Sequence, residues 1–415
     1  MRSHYKRIGD YVTQIKLKNV DNSITSLKGI NINKHFMPSV ANINGTDLSK
    51  YRVVKKNQFA FNPMHVGRDE VLPISMLEDE EPIIVSPAYV VFEVKDEEEL
   101  LPAYLMMWCR RSEFDRNAWF MTDNSVRGGF SWVDFCNLEI PILDLKEQQK
   151  IVAEYLTVSE QITFNKRVIE KVESVANSLF KQWFVDFNFP ISQELACSIG
   201  RLELVGKPYR ASGGAMDQGS PTGWEMKTIK SYSSVTSGFA FKSAWWRERG
   251  APVIKIGSFH DNTVNYETLD YVEPERILGK DKFACRSGDI VIAMTGFTMG
   301  KIGLVPALYN EYHLNQRVGK FELGESPIDR AAYLYCFLQS DDFKRQMAGI
   351  GGDSRQANVS ADEIENFNMQ MPDTIVLERF NSLMKPCLKL IMLKVLKNHN
   401  LKSLSEVILQ KMSKA

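Results

Sequence analysis

This 415-residue chain is written twice, and that repeat limits its possible folds more than any other feature. LPAYLMMWCRRSEFDR, from Leu101, matches RAAYLYCFLQSDDFKR, from Arg330. Tyr104 falls on Tyr333 and Phe114 on Phe343, each pair 229 positions apart. Each stretch reads as an amphipathic helix with a Ser-acid-Phe-basic ending. Upstream, Phe59-Ala60-Phe61 falls on Ile290-Val291-Ile292, Gly67-Arg68 on Gly300-Lys301, and Ser86-Pro87 on Asn315-Gln316. Downstream, Ser131, Asp134, Phe135 and Leu138 match Ser360, Glu363, Ile364 and Phe367. The offset drifts only in loops, as in divergent copies of one structural unit.

A long helical segment follows each copy. In the first, Ile151, Tyr155, Val158, Ile162, Asn165, Ile169, Val172, Ala176, Leu179 and Trp183 alternate spacings of four and three. That is the seam of a coiled coil, with Asn165 as its one polar member and a candidate for fixing register. Lys146 to Phe184 would span about 58 Å as a helix. In the second, Phe380, Leu383, Cys387 and Leu390 keep the spacing, and Leu401, Leu404 and Ile408 resume it. Pro386 is expected to kink this helix or mark a late start, and His399 between asparagines to interrupt it again. Residues 188–221, with SGGAMDQGSPTG, read as a linker. The plan is therefore globular unit (1–143), long helix (144–187), linker (188–221), globular unit (222–372), long helix (373–415).

Charge and motifs narrow the function. Lys plus Arg and Asp plus Glu each number 51, which argues against a generally basic, sequence-blind nucleic-acid binder. The longest apolar run is too short to span a membrane, and the N-terminus has no apolar signal region, so the cytoplasm is expected. Six cysteines without a CxxC pair, and histidines without HxH or HExxH, give no zinc spacing. Walker, GxGxxG and GxSxG motifs are missing. Asn62-Pro63-Met64-His65 imitates a methyltransferase motif without its second proline or aromatic residue. Asp79 with Glu93 and Lys95 imitates an Mg²⁺ nuclease site, the alternative reading, but the second copy has Glu322-Leu323-Gly324 where Glu93-Val94-Lys95 stands in the first.

Binding signals are stronger. The duplicated loops offer Asn62, His65, Arg68 and Arg127 in one copy. The other offers Lys242, Thr295, Thr298, Lys301, Asn315, Gln316, Arg317 and Arg355. Asn and Gln can pair bidentately with adenine, and Arg and Lys with guanine O6/N7, in the DNA major groove.

Several stretches together resemble the specificity subunits of type I restriction-modification systems. They are LKEQQKIV from Leu145, LFKQWFVDF from Leu179, GFAFKS from Gly238, RSGDIVIAMTG from Arg286, GKIGLVP from Gly300 and LNQRVG from Leu314. The resemblance covers nearly the whole chain. It implies an α+β protein: two repeated α/β target-recognition domains separated by two long antiparallel helices forming a coiled coil. Each domain would read one half of a split, asymmetric site in double-stranded DNA. The helices would set the spacer and dock two methyltransferase subunits, with restriction subunits joining the complex. Helix pairing falls to Ile151, Val158, Ile162, Asn165, Ile169, Val172, Leu179 and Trp183 against Leu383, Leu390 and Leu404. The chain itself would be non-catalytic and carry no cofactor. S-adenosylmethionine, ATP and Mg²⁺ would belong to the partner subunits.

Overall fold

The computed structural model describes residues 4–39, 46–64, 66–122, 129–351 and 358–413. The chain forms two compact units, Met1–Gln161 with Leu401–Ala415, and Ile162–Asn400. Each contributes a stretch of both long helices, Leu145–Phe184 and Thr374–Lys411.

The first unit is built on an antiparallel sheet in the order Val12–Ile15, Val90–Val94, Phe59–Phe61, Ile74–Met76. The second repeats that order with Val235–Ser237, Val318–Phe321, Ile290–Ala293 and Ile302–Leu304. Register is kept as well: Ala60 faces Val91 as Val291 faces Lys320. The central strands Phe59–Phe61 and Ile290–Ala293 are buried throughout, as their uninterrupted apolar runs require. Around the first sheet Phe59, Phe61, Phe92 and Phe135 pack ring against ring, Phe59 stacked on Phe92 and Phe61 on Phe135, with Phe61 edge-on to Phe92. The second unit adds a five-stranded sheet that includes Ala251–Ile254 and Tyr312–Leu314.

The copies also share their fastenings. Ser131 with Asp134 and Ser360 with Glu363 each close a capping box at a helix start. Asp144 and Asp373 cap the two long helices, accepting from Glu147 N at 3.0 Å and Ile375 N at 2.8 Å. The buried Tyr104 hydroxyl donates to the Pro141 carbonyl at 3.1 Å, and Tyr333 does the same to Gln370.

Three expectations change at the level of secondary structure. Each presumed amphipathic helix is two helices, Pro102–Cys109 then Ser112–Phe120, and Ala331–Phe337 then Asp341–Gly351. All of Ala331–Phe337 is buried, because it shares one core with the sheet residues Ile290 and Ile292 and with Phe180 and Phe380 of the long helices. Gly67-Arg68 does not align with Gly300-Lys301. Asn62 N–H bonds to the Pro73 carbonyl as Ala293 N–H bonds to that of Lys301, so Lys301 stands where Pro73 does, after loops of different length. The segment 188–221 is folded. It carries a helix, Gln193–Ser198, and sinks Phe189, Ile191, Leu204 and Tyr209 into the core of the second unit.

The first-helix seam is as its spacing predicts. Ile151, Tyr155, Val158, Asn165, Ile169, Ala176 and Trp183 are buried, and Ile162, Val172 and Leu179 half-buried. The second helix differs in two ways. It is a single element from Thr374 to Lys411 with Pro386 and His399 inside it. An interior proline costs about 3 kcal/mol. Burial of Phe380, Met384, Leu388 and Ile391 on either side contributes about 1.5–3 kcal/mol per side chain and outweighs that cost. Its buried line runs through these four residues, while Leu383 and Leu404 are exposed and Leu390 only half-buried. Met384 is an i+4 step from Phe380 where Leu383 is an i+3 step. Both are apolar, so spacing alone does not choose between them.

Within the second unit the helices run antiparallel, with Trp183 against Phe380 (rings 5.4 Å apart) and Asn165 against Asn398. Asn165 is fully buried. Its Nδ2 donates to Asn398 Oδ1 at 2.8 Å, and its Oδ1 accepts from Lys394 Nζ at 3.0 Å. Glu173 ties the first helix to the sheet layer by accepting from the Tyr335 hydroxyl and from Asn262 at 3.2 Å. In the first unit Glu154 pairs with Lys411 at 2.6 Å, again antiparallel.

The asparagine pair yields a prediction. Asn165→Ala strands the buried Asn398 amide and should cost about 1–3 kcal/mol in urea unfolding. Converting both residues to leucine should recover most of that loss, because neither buried amide is then left unpaired and the half-buried Lys394 ammonium can turn to water. A double variant no more stable than the single one would show that the pair is not a coupled unit.

Candidate nucleic-acid interface

In the second unit the turn Asn315-Gln316-Arg317 joins the strands Tyr312–Leu314 and Val318–Phe321. Val318 N–H closes it on the Asn315 carbonyl at 2.9 Å. Gln316 and Arg317 are exposed. The strand Ile290–Ala293 ends beside this turn, since Met294 N–H bonds to the Arg317 carbonyl at 2.9 Å. Thr295, buried, donates its hydroxyl to Asn358 Oδ1. Arg317 Nη1 donates to both partners, at 3.1 Å to Thr295 Oγ1 and 3.0 Å to Asn358 Oδ1. Both bonds use one nitrogen, so the guanidinium is held in place at an exposed position, and among the described residues the rest of its donor fork has no partner.

A second loop borders the turn. Phe239 N–H bonds to the Leu314 carbonyl at 2.8 Å. Gly238 is needed there because a Cβ would lie 2.3 Å from the Asn315 carbonyl oxygen. Lys242 follows, exposed, with its ammonium 5.5 Å from the Trp245 ring. Beyond Thr295, the short turn Gly296–Thr298 holds Phe297 84% exposed. Thr298 is spent on the Thr295 carbonyl at 3.3 Å, and Lys301 is exposed.

The first unit has the same frame with other chemistry. Its equivalent turn is Ser86-Pro87-Ala88, closed by Tyr89 N–H on the Ser86 carbonyl at 3.0 Å. The cation there is Arg52, which donates from Nε to the Pro87 carbonyl at 3.1 Å. Asn62 accepts from Met64 N at 3.0 Å and so shapes its own loop. His65, Arg127 and Arg355 lie outside the described residues, as does the side chain of Arg68.

The nuclease-like trio does not converge. Glu93 accepts from Gln58 at 2.8 Å, and Lys95 is spent on the backbone carbonyls of Gly9 and Asp10. Asp79 is exposed. Among the described residues no group of His, Cys, Asp and Glu is arranged to hold a metal ion. Spacing had pointed to Thr295 and Arg317. It missed Asn358 and Arg52, because only the fold brings them to these turns.

Residues 221–386, which contain the second unit's turn and its bordering loops, match the family described as the type I restriction modification DNA specificity domain. This part of the chain carries a type I restriction modification DNA specificity domain, and the chain is similar to specificity subunits of such systems. It is 23% identical over 253 residues to the MjaIX specificity subunit of Methanocaldococcus jannaschii, covering 60% of this chain and 54% of that one. It is 25% identical over 159 residues to the HindI specificity subunit of Haemophilus influenzae, covering 38% and 34%. The chain thus spans about half, or less, of the length of these relatives. Its fold is that of the S subunit from M. genitalium, with a TM-score of 0.55 at 15% identity, covering 98% of this chain and 95% of that one.

The strand that leads to Thr295 starts after the specificity domain's RSGD turn, where Asp289 is 4% exposed and accepts from Arg286 N at 2.8 Å. Burial pushes its carboxyl up to about 6, against the pull of Arg286 N–H and Lys320. The folded pKa therefore lies above the unfolded one. Stability is unaffected below about pH 4, falls as the pH rises to about 6, and then levels off, a loss of about 3 kcal/mol. Asp289→Asn keeps the acceptor and removes the charge. Its stability advantage over the natural chain in urea unfolding should be small at pH 4 and grow to a plateau above pH 6. An advantage independent of pH would show that Asp289 does not carry the buried charge.

Proposed function

We propose that the chain is the DNA sequence-specificity subunit of a type I restriction-modification complex. It reads a bipartite, asymmetric target in double-stranded DNA, one half-site per unit. The observation that carries this reading is the exposed Gln316-Arg317 turn, anchored through Thr295 and Asn358 inside a DNA specificity domain. The first unit supports the asymmetry, since it holds Ser86-Pro87 and Arg52 at the matching turn, a different donor set. The paired helices set the spacer between half-sites and dock two methyltransferase subunits, and restriction subunits join through that complex. Catalysis, S-adenosylmethionine, ATP and Mg²⁺ belong to those partners, and the complex acts in the cytoplasm. Among the described residues no helix is long and apolar enough to cross a membrane.

Arg317 is the sharpest test. Its unspent N–H groups suit guanine O6/N7, while Gln316 suits adenine. In the assembled complex, Arg317→Ala and Gln316→Ala should each weaken binding to the cognate duplex by about 1–3 kcal/mol. Binding to scrambled duplex should hardly change. Equal losses on both duplexes in a competition assay would make these residues phosphate contacts and remove the base-reading role.

A further inference from the structure

Beside the base-reading turn lies an arrangement that the specificity role does not yet use. Phe239 and Trp245 stand nearly parallel, 2° apart with centroids 6.3 Å from each other. Three cations rest on them. Lys242 Nζ lies 5.5 Å and the Arg276 guanidinium 5.1 Å from the Trp245 ring, and Lys280 Nζ lies 5.0 Å from the Phe239 ring. Arg276 is paired with Glu273 at 2.9 Å. Among the described residues neither Lys242 nor Lys280 has an acid partner. The first unit has no tryptophan between its strands Val12–Ile15 and Arg52–Val54, so the corresponding stretch there lacks the residue that carries this feature.

We infer that Phe239 and Trp245 form a platform on which Lys242 and Lys280 hold the phosphate backbone of the duplex whose bases meet Gln316 and Arg317. The inference rests on the DNA-reading function proposed above. An ammonium lying on an aromatic face is attracted to the ring while keeping N–H groups for an outside acceptor. Gathering unpaired cations over two rings costs mutual repulsion, which a polyanion removes. The position fits as well. Gly238 N–H bonds to the Val318 carbonyl at 2.9 Å and Phe239 N–H to that of Leu314 at 2.8 Å, so the platform loop flanks the reading turn on its backbone side. Phosphate contacts set orientation and register, and base contacts then discriminate.

The same cluster holds its own control. Lys255 lies 3.6 Å from the Trp246 ring, but Asp270 neutralises it at 2.9 Å. That pair is a closed surface contact and offers no net charge to phosphate.

The test uses the full chain assembled with the modification subunits of its own system. The probes are a duplex selected by that complex from a randomised pool and a scrambled duplex of equal composition. Affinity is measured across a salt series. Each phosphate contact contributes about 0.9 to the slope of log affinity against log salt, so Lys242→Gln with Lys280→Gln should flatten the slope by about 1.8 on both duplexes. Between 50 and 200 mM salt, the variant should lose roughly tenfold less affinity than the natural chain. The ratio between the duplexes should survive, Lys242→Arg with Lys280→Arg should restore the slope, and Lys255→Gln should leave it alone. A slope unchanged in the double glutamine variant, or a loss confined to the selected duplex, overturns the platform and leaves the reading function standing. A natural complex that fails to select any duplex overturns the reading function, and the platform with it.

Discussion

The buried contact between Asn165 and Asn398 fixes how the two long helices meet in the second unit. An apolar seam of alternating three and four spacings tolerates sliding by a repeat, because one buried aliphatic side chain substitutes for another. An asparagine pair does not. Shifted from each other, both buried amides lose their partners and the half-buried Lys394 ammonium loses its acceptor, so one register is lower in free energy than its neighbours. Much else in that unit follows from this register. Phe180, Trp183 and Phe184 are set against Phe380 and the buried helix Ala331–Phe337, and that helix lies beneath the sheet whose ends carry Thr295 and Arg317.

Duplication explains how one frame serves two different sites. Capping boxes, aspartate caps, tyrosine-to-carbonyl bonds and central sheet order are held in common, and all are structural. The turns at the sheet ends are where the copies diverge, from Ser86-Pro87 with Arg52 to Gln316-Arg317 with Thr295 and Asn358. Frame residues answer to packing, which is the same in both units. Turn residues answer to whatever the unit binds.

Most of the frame was legible in the sequence, because repeats and seams are periodic. The first-helix seam, the match of Ser131 to Ser360 and the matched tyrosines all follow from spacing. The second-helix seam was misplaced at Leu383, since the i+3 and i+4 steps from Phe380 both land on apolar side chains, and at Leu404, which is exposed while the polar Ser405 beside it is half-buried. Neither a late start at Pro386 nor an interruption at His399 occurs, because a local penalty was set against burial that only the fold supplies. The site was half legible. Thr295, Gln316 and Arg317 lie in loops that the repeat marks out, whereas Asn358 reaches Arg317 from 41 positions away. Arg276 and Lys280 join Trp245 and Phe239 only once the added sheet has formed. Residues 188–221 looked like a linker from their glycines, but Phe189, Ile191 and Tyr209 give the segment its own apolar anchors.

The central claim is that two separate units each read half of one DNA target. The most direct measurement is genome-wide mapping of modified bases in cells carrying the complete system. It is made with the natural chain and again with residues 222–372 exchanged for those of another specificity subunit. The account predicts a bipartite, asymmetric motif with a fixed gap, of which only one half changes on exchange. A contiguous or palindromic motif, or a change in both halves at once, would contradict it.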